Sequence, residues 1–179
     1  GIPWQAGESL SIAIGQGSNL VTPLQLAMAY AAMANGGTLY TPYCIERVVS
    51  VEGVVLEDNN PLSKKGIPLS KENRDLLKEC LWGVVNTPTG TGTLASNPEK
   101  DVSGKTGTAQ VLSLTKKKEN EDRDTFSDHA WFSAYAPGDD ARIAVVVFVE
   151  HGGHGGSAAA PIAHAVISRF FELEEEGNV

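Results

Sequence analysis

With 179 residues, 41% of them hydrophobic, the chain has room for one globular domain with a real core and is too short for two. A formal net charge of -8 argues against non-specific nucleic-acid binding, which needs a basic face. No apolar run approaches the roughly 20 residues that span a bilayer, and GIPWQAGESL has neither the basic start nor the apolar core of an export signal, so the chain as given is expected to be soluble.

In chain order, Thr22 followed by Pro23 forms an N-cap with proline at the first helical position. Leu24, Ala27, Ala31 and Ala34, with Tyr30, keep helical spacing until Asn35-Gly36-Gly37, so a small-residue helix is expected over about 23–34. TLYTPYCIERVVSVEGVVLE then reads as extended segments turning at Glu52-Gly53. Ser70 caps a second helix, with Leu77, Cys80, Leu81, Val84 and Val85 on one face, before the turn-rich NTPTGTGT. Cys44 and Cys80 lack CxxC or His spacing and leave a disulfide and buried thiols both open.

VSGKTGTAQV, residues 102–111, has the Val and Thr content of a strand, yet Gly104 and Gly107 weaken it and bare its backbone. Such a strand is either a site wall or a bulged edge with Lys105 as a solvated gatekeeper. LTKKKENEDRD reads as a solvated loop. DHAWFSAYAP and ARIAVVVFVE form a hairpin through Pro137-Gly138-Asp139-Asp140, the second strand apolar enough for burial on both faces. A last helix is expected from near Ala158, carrying Ile162, Val166, Ile167, Phe170 and Phe171. These elements give an α+β class with an antiparallel sheet and flanking helices.

Lys-Thr-Gly recurs in serine acyl-transferases that handle penicillins, with a Ser-x-x-Lys nucleophile motif and a Ser-Asp-Asn type motif. Together with GQG at 15–17, TPLQLA at 22–27, GKTGTAQV at 104–111 and DHAWFSAYAP at 128–137, the chain resembles the C-terminal part of the transpeptidase domain of class B penicillin-binding proteins, nearest the elongation type, penicillin-binding protein 2. The resemblance runs through nearly the whole chain. It implies a partial penicillin-binding transpeptidase fold, similar to serine β-lactamases, with 1–179 as the C-terminal portion of one domain. Ser-x-x-Lys occurs only as Ser113-Leu114-Thr115-Lys116, just after KTG, and reads as a chance match; Ser-x-Asn does not occur. The nucleophile, its lysine and the second motif are therefore expected upstream of Gly1.

An acyl-transfer site needs a cation and hydroxyls for a substrate carboxylate, and N–H donors for a tetrahedral oxyanion. The resemblance implies Lys105, Thr106 and Thr108 for the first task and the Thr108 N–H for the second, along one exposed strand edge. Gly107 would let the substrate backbone lie on that edge as an added strand. Gln16 would shape the cleft rather than react. The implied partners are peptidoglycan stem peptides, β-lactam antibiotics and the cell-wall elongation machinery, at the periplasmic face of a bacterial inner membrane. No cofactor is required for a covalent serine route, and no metal or nucleic acid is expected. HGGHGG at 151–156 reads as a glycine-rich turn rather than a metal or phosphate site, and Asp128-His129 as a structural strand start. In the implied topology 142–149 lies beside a strand from the absent N-terminal part, so in this stretch alone it is expected to present an unpaired edge and either to self-associate or to be covered by a local rearrangement. A non-catalytic binding or scaffolding module on the same fold is the alternative, decided by the sequence upstream of Gly1.

Overall fold

Local capping chemistry starts both long N-terminal helices where the sequence places them. The computed structural model describes residues 3–17, 19–63, 66–111 and 127–178. The charged stretch 114–124 and the Ser113 to Lys116 match lie outside the described residues. A short helix α1, Ala6–Ala13, has a capping box between Gln5 and Glu8. Helix α2, Pro23–Ala34, begins where the Thr22 hydroxyl accepts from the Gln25 N–H at 3.2 Å and the Thr22 N–H donates to the Gln25 side chain at 2.9 Å. A hairpin follows, β1 at Arg47–Val49 and β2 at Val55–Asp58, turning through Gly53 at φ 82°. Helix α3, Lys71–Asn86, starts at the Ser70 cap, whose hydroxyl accepts from the Asn73 N–H.

The main sheet contains β3, Ser103–Ala109, β4, His129–Ala136, and β5, Ile143–Val149, antiparallel and in that spatial order. After β5 a π-helical turn, Gly155–Ala159, runs directly into α4, Ala160–Glu175. β4 is the central strand. One of its faces carries Ala130, Phe132, Ala134 and Ala136, all fully buried with Val85 of α3 and with Ala160, Ala163, Ile167 and Phe171 of α4. The other carries Tyr135, buried with Tyr30 of α2 and Leu81 of α3. Helices on both faces of an antiparallel sheet give the α+β class read from the sequence. Among the described residues, no helix is long and apolar enough to cross a membrane.

Three sequence expectations change. Among the described residues β5 is an edge strand, like β3, and only Val145 on it is buried, while Phe148 is 40% exposed; double-sided burial belongs to β4, which has hydrogen-bonded neighbours on both edges. The free edge expected at 142–149 is present in this strand order. On α4 the buried stripe is Ala160, Ala163, Ile167 and Phe171, leaving Ile162 and Val166 exposed, because the small residues let the helix approach the sheet closely. On α3, Leu77 and Cys80 are exposed, Leu81 and Val85 are buried in the cores and Val84 packs half-buried against the main one. Both cysteines are exposed free thiols.

Candidate active site

β3 pairs with β4 along one edge, with Lys105 opposite Ser133, Thr106 opposite Phe132, Gly107 opposite Trp131 and Thr108 opposite Ala130. Pleating puts Lys105 and Gly107 on one face and Thr106 and Thr108 on the other. The lysine does not stay on its face. Its exposed side chain curls over the outer edge of the strand, where Nζ donates to the Thr106 carbonyl at 3.0 Å and to Thr106 Oγ1 at 3.4 Å. Thr106 Oγ1 in turn lies 2.8 Å from Thr91 Oγ1, from the turn-rich loop after α3. The Thr108 carbonyl accepts from Gln16 Nε2 at 2.9 Å.

These partners fix the direction of the strand. In an antiparallel ladder the N–H and C=O of one residue point to the same side. The carbonyls of Thr106 and Thr108 meet side chains from outside the sheet, so their amides also face away from β4. The outer edge therefore brings an ammonium, two hydroxyls and the backbone of Thr106 and Thr108 together. That set matches the needs of an anionic acyl ligand. Each of Lys105, Thr106, Gly107 and Thr108 lies on this one strand, and the cation reaches the edge by bending rather than by alternation.

The glycines have internal packing reasons. Gly104 is buried, and a Cβ there would lie 2.8 Å from the Ser133 carbonyl oxygen and 2.9 Å from Phe132 Cζ. At Gly107 a Cβ would approach Trp131 Cβ to 3.1 Å. Behind the edge, Gly155 lies so close that a Cβ would press on the backbone of Trp131 and Gly107, and a Cβ on Gly156 would strike the Thr91 carbonyl. The HGGHGG segment is thus a packing turn that seats the start of the last helix against the strand and the Thr91 loop. Its residue His151, at φ 53°, donates its N–H to His129 Nδ1 at 3.0 Å, which ties the start of β4 to the end of β5. Among the described residues, no three His, Cys, Asp or Glu side chains gather as metal ligands.

Gln16 is aimed at β3 by its neighbours. Gly15 and Gly17 have φ of 73° and 90°, a region that side chains disfavour, and the Gln16 N–H donates to the Ser11 carbonyl at the end of α1. Thr91 was not legible as a site residue, since a threonine among Gly, Pro and Thr reads as turn chemistry.

A family model described as the penicillin binding protein transpeptidase domain matches residues 2–168. The peptidoglycan D,D-transpeptidase MrdA of Haemophilus influenzae is 40% identical over 177 residues, covering 94% of this chain and 26% of that protein. Penicillin-binding protein A of M. tuberculosis, solved as a penicillin G acyl-enzyme complex, is 29% identical with a TM-score of 0.71, over 90% of this chain and 34% of that one. The complex of PBP2 and MreC from Helicobacter pylori matches with a TM-score of 0.66 at 27% identity, over 98% of this chain and 29% of that one. The chain spans about a quarter of the length of the curated relative.

Proposed function

The chain belongs to the penicillin-binding protein transpeptidase family, and on that premise we propose that it is the KTG-bearing C-terminal part of a longer peptidoglycan D,D-transpeptidase of the elongation type. The observation that carries this reading is the convergence of Lys105, Thr106, Thr91 and the outward backbone of Thr108 on the free edge of β3.

In this reading the terminal carboxylate of a donor stem peptide, or of a β-lactam, is held by Lys105 and the hydroxyls of Thr106 and Thr108. The peptide backbone adds to the β3 edge as a further strand. A serine outside this stretch attacks the carbonyl of the penultimate residue, and the Thr108 N–H stabilises the developing oxyanion. The carbon–nitrogen bond breaks, D-alanine leaves with the proton, and an amine of a neighbouring peptide then displaces the serine from the ester. A β-lactam follows the first half, with its ring nitrogen as the leaving group. With only this wall of the site, the stretch alone forms no acyl adduct.

The cell-wall elongation machinery is the proposed partner, supported by the PBP2–MreC complex of the Helicobacter relative, and the proposed setting is the periplasmic face of a bacterial inner membrane. Acylation of the full-length protein by a labelled penicillin tests the site. Lys105→Ala is expected to slow it by about 10- to 100-fold, the loss of one charge-assisted contact. Unchanged acylation would remove the role given to Lys105.

A further inference from the structure

Two outward carbonyls of the β3 edge, those of Thr106 and Thr108, carry a side-chain donor from this chain, and the two donors differ in kind. Lys105 caps the Thr106 carbonyl from within the strand, whereas Gln16 reaches the Thr108 carbonyl from a turn 92 residues earlier. The Gln16 contact is half-buried, and the left-handed glycines on either side fix the turn that presents it. A carboxamide N–H on a strand carbonyl has the chemistry of the next strand's backbone amide. Gln16 thus occupies the hydrogen-bonding position that an added peptide strand would take.

We propose that Gln16 is a specificity-determining residue: a displaceable amide cap on the Thr108 carbonyl, exchanged for the ligand's own N–H when that ligand carries one. This rests on the reading of the β3 edge as the ligand-binding wall. A ligand with an amide N–H beside its reactive carbonyl trades one hydrogen bond for another and must displace Gln16. A ligand without that N–H leaves the cap in place. The free edge is at the same time blunted against pairing with other chains.

The test uses the full-length protein and two acylating probes, penicillin G, which has a side-chain amide N–H, and imipenem, which has none. The second-order acylation rate is measured for each in the wild type, Gln16→Met and Gln16→Asn, which withdraw the donor while retaining bulk or polarity. Removing the cap is expected to raise the penicillin G to imipenem rate ratio about 2- to 10-fold, the worth of one neutral hydrogen bond. The ratio is insensitive to the fraction of folded enzyme, so a merely structural role for Gln16 would slow both probes alike and leave it unmoved. A ratio unchanged or lowered in both variants, with the wild type acylated normally, overturns the inference alone. A wild type acylated by neither probe overturns the proposed function and this inference with it.

Discussion

The sheet face beneath α4 and the N-terminal helix α1 are both apolar in sequence, and only one of them forms a core. Ala130, Phe132, Ala134 and Ala136 are fully buried, because β4 has paired strands on either side and α4 brings alanines close above it. On α1 no residue is buried; Leu10 is 76% exposed, and Ile14, just past the helix end, is 77% exposed. Apolar composition becomes stability only where ladder pairing and close approach remove it from water. The candidate site lies at the seam between the two regions, on a strand anchored to the core through β4 and touched from outside by the Gln16 turn that follows α1.

The largest expected contrast lies between those two regions. Phe132→Ala should cost about 3–5 kcal/mol in urea denaturation, a transfer loss plus a cavity, whereas Leu10→Ala should stay within about 0.5 kcal/mol. A comparable cost at Leu10 would mean that α1 packs against something in solution.

A second contrast is between the two faces of the sheet, and pH reads it. Burial, and then the neighbouring charge of Tyr135, push the Tyr30 hydroxyl from 10.0 up to about 12. Burial also raises Tyr135. Between those values the unfolded chain has released the Tyr30 proton and the folded chain has kept it, so stability falls as pH rises from 10 to 12. The loss amounts to about 2–3 kcal/mol and levels off above 12. Tyr30→Phe should flatten that part of the stability–pH curve, leaving the smaller Tyr135 contribution. An unchanged slope would place the alkaline sensitivity elsewhere.

The smallest effect is at the seam itself. Thr91→Val removes the hydroxyl that meets Thr106 Oγ1 and keeps the bulk, so folding should persist while acylation of the full-length protein falls about 2- to 10-fold. Full acylation would show that the Thr106 hydroxyl needs no support from the loop.

What the sequence disclosed follows the range of the forces involved. The caps at Thr22 and Ser70, the turn at Gly53 and the hairpin through Pro137 to Asp140 depend on neighbours within a few residues, and all were legible. On α4 the buried Ile167 and Phe171 were legible, but Ile162 and Val166 were misread because they outweigh Ala160 and Ala163 in hydrophobicity, while the sheet takes those small residues for close contact. On β5 the edge position was expected and only the burial on both faces fails: its run of valines suits a central strand, but with β4 as its one paired neighbour among the described residues only Val145 is buried. At the candidate site, Lys105, Thr106, Gly107 and Thr108 stood out as a motif. The meeting of Thr91 with Thr106 and of Gln16 with Thr108 depends on tertiary placement, which no local pattern encodes.

The central claim is that the outer edge of β3 binds the acyl ligand. A crystal structure of the full-length protein acylated by penicillin G tests it most directly. The account predicts the ligand carboxylate within hydrogen-bonding distance of Lys105 Nζ and of the Thr106 or Thr108 hydroxyl, with the ester carbonyl oxygen accepting from the Thr108 N–H. An adduct whose carboxylate and carbonyl both lie away from β3, with Lys105 still folded onto Thr106, would contradict it.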